Sequence, residues 1–285
     1  MKIGFVCTNY NNSHYTREAV RSLVGNKGHS CTIVIVDNCS APSDRESLES
    51  IAAEYENVHL VLNAENVGYF KGLNCGIKYL RAQEPELGYM IVGNNDVVFP
   101  ADFIDSIERN APQFEIQAVI SPDVVTSDGV HQNPHVINSI SRMREMAYDL
   151  YHFNYYVAVA LRKLAGLTRR WTDRDDEAHW QIGQRIYQGH GACYILGPLF
   201  FEHFSELWAP SFLMAEEYFL SKQLADAGLH LYYEPSIKVT HHFHASMNKV
   251  PAKEVWKRSR EAHRIYKKHL KVFNSRPAQD VSKAS

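Results

Sequence analysis

No stretch of the 285 residues approaches the ~20 consecutive apolar positions that a membrane-crossing helix needs. The opening run Met1–Cys7 is too short an apolar segment for a secretory leader and gives way at once to polar Thr8-Asn9. The five cysteines (Cys7, Cys31, Cys39, Cys75, Cys193) stand singly, with neither disulfide-framework nor zinc spacing, which points to a reducing cytoplasm. Charge of one sign is lacking too: Lys+Arg 30 against Asp+Glu 32 leaves a net charge of -2, so nothing draws the chain globally to nucleic acid. No G-x-G-x-x-G follows the first strand-like run and no P-loop occurs anywhere, which removes nicotinamide and kinase-like chemistries. These absences leave a soluble or peripheral protein long enough to bury one full core with an added lobe.

What is present is a regular alternation. Residues 1 to about 125 interleave short β-branched runs with amphipathic helical patterns, as a parallel sheet with crossover helices does. The runs Ile3–Cys7, Thr32–Val36, Val58–Leu62, Tyr89–Val92 and Val119-Ile120 read as strands. Ser43-Asp44-Arg45-Glu46 reads as a capping box opening a helix through about Ala53. A glycine-bearing loop, Asn66–Lys71, leads into a helix carrying Leu73, Ile77 and Leu80. Further on, Gly191–Leu196 resumes strand character until Pro198. A helix is expected from about Met214 to a cap at Gly228, and two short strands at Leu231–Pro235 and Ile237–Val239 lead to a loop holding His241-His242-Phe243-His244.

Three strand ends in sequence carry polar clusters: Thr8–Asn12, Asp37-Asn38 and Asn94-Asn95-Asp96. Open α/β sheets bind ligands at the carboxyl ends of their strands. Two amides and a carboxylate at the third end suit a hydrated divalent cation, which takes few protein oxygens and completes its shell with water and phosphate. Asx-rich turns give the same pattern without a ligand. Glu216-Glu217 begins a helix, where acidic residues also favour the helix dipole. Residues 138–180 set Met143, Met146, Leu150, Tyr151 and Phe153 beside Arg162-Lys163 and Arg169-Arg170-Trp171. That mixture fits an interfacial membrane segment or an ordinary packed helix with a solvated end.

Taken in order, these motifs resemble family 2 inverting glycosyltransferases of the GT-A fold, in particular the rhamnosyltransferase-like branch serving capsule and O-antigen polysaccharides. Thr8-Asn9-Tyr10-Asn11 is similar to the family's first-strand loop, and Val36–Ser40 to its V-D-N-x-S element. Asn66-Val67-Gly68 with Asn74-Cys75-Gly76 resembles N-x-G-(x5)-N-x-G. Asn94-Asn95-Asp96 resembles the N-x-D form of the metal motif, Glu216-Glu217 the acidic pair, and Val239–Ser246 the V-x-H-(x3)-A-S element.

The resemblance implies an α/β GT-A fold over 1–246: a nucleotide-binding half (1–125), a helical insertion on the acceptor or membrane side (138–180) and an acceptor half (190–246). An amphipathic helix (247–273) and a disordered tail (274–285) follow. It also implies a nucleoside-diphosphate sugar donor, UDP or dTDP foremost, and a saccharide or lipid-linked acceptor, with Mg²⁺ or Mn²⁺ as cofactor. Asp96 and His241 become the metal ligands, with His242 as the alternate. Glu217, or failing it Glu216, becomes the base. Thr8, Asn9, Tyr10, Asp37, Asn66, Gly68, Lys71, Asn94 and Asn95 become donor contacts. Only Asp96 survives of the usual acidic metal motif, which leaves open a second possibility: a nucleotide-sugar binding module without chemistry. A sugar-nucleotide pyrophosphorylase would want glycine and basic residues in the loop after the first strand, and Thr8–Asn12 has neither.

Overall fold

The computed structural model describes residues 2–26, 31–172, 176–242 and 252–269, with side chains except at 165–172. The elements run β1 (Ile3–Asn9), α1 (Ser13–Val24), β2 (Cys31–Asp37), α2 (Pro42–Glu54), β3 (Val58–Leu62), α3 (Tyr69–Gln83), β4 (Tyr89–Asn94), β5 (Val97–Val98), α4 (Phe103–Phe114) and β6 (Val119–Thr126). Then come α5 (Arg142–Phe153), α6 (Tyr155–Thr172), β7 (Gln184–Ile186), β8 (Cys193–Leu196), α7 (Pro198–His203), α8 (Glu216–Asp226), β9 (Leu231–His241) and α9 (Ala252–His269). Among the described residues the strands form one nine-stranded sheet in the order β3-β2-β1-β4-β8-β6-β9-β5, with β7 on β9.

Strands β3, β2, β1 and β4 are parallel, as the crossover helices require, whereas β8 enters antiparallel between β4 and β6. The parallel strands read as unbroken apolar runs because both faces are covered. Ile3, Phe5 and Cys7 of β1, with Ile33 and Ile35 of β2, pack in one layer with α1 and α2 residues such as Val20 and Leu48. Val6, Val34 and Val36 pack on the other side with Leu73, Ile77 and Leu80 of α3. The close approach of α3 depends on Gly76, where a Cβ would meet Val6 Cγ1 at 2.3 Å.

Several local expectations shift. Helix α2 starts one residue before the expected box: Ala41 is its N-cap without a side-chain bond, and Pro42 takes the first turn, where its missing N–H costs nothing. Residues 231–241 form a single strand rather than two. Pro235 sits where the β6–β9 register slips between Pro122 and Asp123, the kind of irregularity at which a strand tolerates proline. Pro198 ends β8 by opening α7. The cap at Gly228 holds: its φ is +72°, and Leu229 N–H donates to Leu224 C=O at 2.8 Å.

Within the 138–180 segment, α5 and α6 form a helical hairpin. Ser141 caps α5 through a bond from Arg144 N–H, and Asn154 separates the helices while its Oδ1 accepts from Tyr156 N–H at 2.8 Å. Helix α9 returns to cover α5: Trp256 Nε1 donates to Tyr151 C=O at 3.1 Å, and His263 Nε2 lies 2.8 Å from Asp149 Oδ1. No helix among the described residues is long and apolar enough to cross a membrane. Phe243, His244, Ala245, Ser246 and the expected disordered tail lie outside the described residues, as do the side chains of Arg169, Arg170 and Trp171.

Candidate active site

Sheet register gathers the three polar strand ends. Thr8 pairs with Asn94 and Asn9 with Asp37, so the carboxyl ends of β2, β1 and β4 are adjacent and level. Asn9 and Asn95 turn inward from this edge. Asn95 Nδ2 donates to Asn9 Oδ1, Asn12 Oδ1 and Thr16 Oγ1 at 3.1, 2.8 and 2.7 Å. Asn9 Nδ2 donates in turn to Asp44 Oδ2 at 2.7 Å. Burial works to raise the Asp44 carboxyl, but bonds from Ser13, Asn9 and Ser40 outweigh it and hold the group below its ordinary value. The side chains of these two expected donor contacts fasten β4 to β1 and α1.

Asp96 lies on the other side of that turn. The short β5–β9 pairing puts Val97 opposite His241, and His242 N–H donates to Asp96 C=O at 2.9 Å. His241 Nε2 then stands 3.4 Å from both Asp96 Oδ1 and Asn94 Nδ2. On its far side, His241 Nδ1 is 2.8 Å from Gln132 Oε1. An amide oxygen only accepts, so Nδ1 carries the proton and the Nε2 lone pair faces Asn94 and Asp96. Asp96 Oδ1 is buried without a hydrogen-bond partner. The unpartnered Asp96 oxygen, beside an imidazole nitrogen that accepts rather than donates, fits a divalent cation, with Gln132 fixing the tautomer from behind. Among the described residues no cluster of three or more His, Cys, Asp or Glu surrounds the gap. Water and phosphate would complete the shell. His242 points elsewhere, with Nε2 3.1 Å from Glu18 Oε2 and its ring against Tyr15.

The acidic pair sits across β8 from this gap. Asn94 N–H donates to Ala192 C=O at 2.9 Å, and Gly191, one residue earlier, is bare because a Cβ there would meet Glu217 Oε1 at 2.7 Å. Tyr69, the first residue of α3, donates its hydroxyl to Gly191 C=O at 2.7 Å. Its phenol is raised well above the ordinary value, first by burial and then by the neighbouring acidic groups, Glu216, Cys193, Glu217 and Asp96. Tyr69 thus stands between the acidic pair and Asp96. Met214 and Ala215, at φ +76° and +65°, hold the left-handed turn that launches α8, a strained conformation for residues with a Cβ. The two carboxylates differ sharply in surroundings. Glu216 is 7% exposed with Oε1 lacking a partner. Burial, then the neighbouring Glu217 charge, pushes it up to about 8, against bonds from its own and the Met214 N–H. Glu217 lines an open cavity.

Other expected residues spread around this centre. Tyr10 is half exposed beside Thr8 at the β1 end. Asp37 is fully buried: both oxygens face Ser40 N–H at 3.2 Å and Arg45 Nε lies 3.6 Å away, so the carboxylate serves its own turn. Asn66 Oδ1 accepts from Gly68 N–H, and Gly68 has φ +93° with Phe212 C=O only 2.0 Å from where a Cβ would be. Asn74 clamps both backbone groups of Leu207. Lys71 lines a second cavity with Lys78 and Trp208, away from the Asp96 gap. Sequence reasoning missed Tyr69, Gln132 and His190. His190 is partly buried with its ring 5.4 Å from that of His241, and desolvation, then His135 and His241, lowers it well below the ordinary imidazole value. The two glycines flanking His190 were the only sequence hint of close packing there.

The sequence model of the family described as Glycosyl transferase family 2 matches residues 5–171. Among solved structures, the mannosyltransferase PcManGT from Pyrobaculum calidifontis in complex with GDP-Man and Mn²⁺ is similar at 12% identity and a TM-score of 0.58, over 97% of this chain and 65% of that one. GalNAc-T7 with UDP, GalNAc and Mn²⁺ is similar at 13% identity and a TM-score of 0.52, over 85% and 44%. S. aureus TarS 1-349 in complex with UDP-GlcNAc is similar at 13% identity and a TM-score of 0.52, over 88% and 62%. The chain spans less than two thirds of the length of each of these structures. No curated protein matches the sequence.

Proposed function

Because this chain belongs to glycosyl transferase family 2 and has the mixed α/β architecture of GT-A glycosyltransferases, we propose that it moves a sugar from a nucleoside diphosphate to an acceptor hydroxyl with inversion at the anomeric carbon. The observation that carries this reading is the buried, unpartnered Asp96 oxygen 3.4 Å from His241 Nε2, with Glu217 standing against Gly191 next to the Ala192 carbonyl that Asn94 N–H bonds. Asp96 and His241 would hold Mg²⁺ or Mn²⁺. The chemistry that the cation would supply there is offset of the negative charge on the departing diphosphate.

Glu217 takes the proton of the acceptor hydroxyl as its oxygen bonds to the anomeric carbon, opposite the breaking bond to phosphate. Glu216, held protonated at neutral pH, adds no second charge. Tyr69 donates to the Gly191 carbonyl and braces the wall beside Glu217. Thr8 and Tyr10 form the base side of the donor site, where UDP or dTDP fits the polar strand ends, and Asp37 sets the adjoining turn. The product belongs to surface polysaccharide of the rhamnosylated capsule or O-antigen kind, built on a saccharide or lipid-linked acceptor. Thermal stabilisation by UDP, GDP, dTDP and CMP, each with Mn²⁺, tests the donor site. The expected result is a nucleoside-diphosphate shift that requires Mn²⁺ and disappears in Asp96→Asn; stabilisation indifferent to both would contradict it.

A separate observation supports contact with the cytoplasmic face of a membrane. Met143, Met146, Leu150 and Phe153 recur at helical spacing on α5, and Met143 and Phe153 are 83% and 71% exposed. Arg142, Arg162 and Lys163 are exposed beside them. An apolar stripe rimmed by cations suits an anionic lipid surface. Co-sedimentation with phosphatidylglycerol vesicles, lost on neutralising Arg162 and Lys163, is expected; binding insensitive to salt and to those changes would remove this reading.

A further inference from the structure

Beside Glu217 lies a cavity of about 180 Å³ between α5, α8 and α9, and nothing in the donor chemistry uses it. Its walls are Tyr148 and His152 from α5, Tyr218 from α8, and Ser259, His263 and Tyr266 from α9, with the Glu217 carboxylate at one end. The walls are fixed by their own bonds. His152 and His263 stack at 4.2 Å and 17°. His152 Nδ1 is 2.8 Å from Tyr148 C=O, so it carries the proton and Nε2 accepts from Ser259 Oγ–H at 2.9 Å. Tyr266 donates to the buried Glu145 carboxyl.

The charge inside is specific as well. Burial, then the His263 charge, lowers His152 to about 4. Burial lowers His263 against the pull of Asp149. Lys267 is held on Asp149 at 2.8 Å. Among the described residues that line it, the cavity offers aromatic faces, a hydroxyl and two imidazoles, with the Glu217 carboxylate and no Lys or Arg. Aromatic faces pack on the C–H face of a pyranose while the polar groups meet its hydroxyls. A carboxylated or phosphorylated sugar would meet Glu217 with no Lys or Arg among the described lining residues to offset it.

We propose that this cavity binds the terminal neutral monosaccharide of the acceptor and directs its hydroxyl at Glu217, so that α5 and α9 set acceptor specificity. The inference rests on the transferase reading above, and its test is separable from it. Saturation-transfer-difference NMR on the full chain would be recorded with methyl glucoside, methyl galactoside, methyl rhamnoside, methyl N-acetylglucosaminide and methyl glucuronide. Two variants alter opposite walls: Ser259→Phe, at a partly exposed position, fills the space, and Tyr148→Ala, at an exposed one, removes a ring. Melting curves and UDP binding with Mn²⁺ confirm that each is folded and that the donor site is intact.

The expected result is ring-proton signal from at least one neutral glycoside, weakened roughly fivefold or more in both variants, and none from the glucuronide. Absence of signal from every neutral glycoside, signal that survives Ser259→Phe, or equal signal from the glucuronide overturns the proposal. Loss of UDP binding by the unaltered chain would instead sink the donor assignment, and it leaves the glycoside result to be read by itself.

Discussion

Replacing Glu216 by Gln isolates the most perturbed carboxyl in the site. The side chain is 7% exposed, its Oε1 has no partner, and burial with the Glu217 charge moves its titration from 4.5 to about 8. A folded-state value above the unfolded one means that the stabilisation is fully present below pH 4.5. It is lost progressively as pH rises through about 8. At about 1.4 kcal/mol per unit of pH, the unaltered chain loses on the order of 3 kcal/mol from this group between the unfolded value and pH 7. Gln keeps the shape and the neutral charge of the protonated acid, so Glu216→Gln suffers none of that loss. Urea midpoints for both proteins at pH 5, 6, 7 and 8 give the difference directly, because all other titrating groups are shared. The difference should be small at pH 5 and grow steadily in favour of the variant. Parallel profiles would refute the assignment of a buried, neutral Glu216. A partial flattening is expected in Glu217→Gln, which removes the neighbouring charge and leaves the burial.

Other consequences follow from the packing and the metal pair. Gly68→Ala forces a Cβ into Phe212 C=O from a left-handed backbone and should cost more than ~2 kcal/mol in a denaturant titration; an unchanged midpoint would mean that the loop yields freely. Asn95→Ala strips the shared partner from Asn9, Asn12 and Thr16 and should destabilise by about 1–3 kcal/mol, with donor affinity tracking stability rather than falling independently. Gln132→Leu removes the acceptor behind His241 Nδ1 and should weaken Mn²⁺ binding roughly tenfold or more by calorimetry in the presence of UDP; full affinity would show that the imidazole needs no such partner.

The parallel half of the sheet was legible because β1 to β4 are buried on both faces, and continuous Val and Ile runs have no other use. Polar strand ends were legible as a group but not individually. Asn94, Asn95 and Asp96 are consecutive, yet Asn95 turns into the scaffold while Asp96 turns to His241, and only the turn between β4 and β5 decides which does which. Asp37, expected at the donor base, also accepts from Ser40 N–H, three residues away, a local bond of the kind that Asx turns make. Gln132, His190 and Tyr69 were illegible for a different reason. Each acts through a partner at least 50 residues distant in sequence, as Gln132 on His241 shows, and spacing along a chain carries no trace of such contacts. Glycines 68, 76 and 191 were visible as a pattern, whereas their cause, backbone or carboxylate standing where a Cβ would go, appears only in three dimensions.

The most direct measurement is sugar transfer by Glu217→Gln, with UDP and Mn²⁺ affinity determined on the same preparation. Transfer should fall by a factor of at least ~10² while nucleotide and metal affinities stay within about twofold. Transfer at the unaltered rate would place the base elsewhere and contradict a site in which Asp96 and His241 serve the leaving group and Glu217 the acceptor.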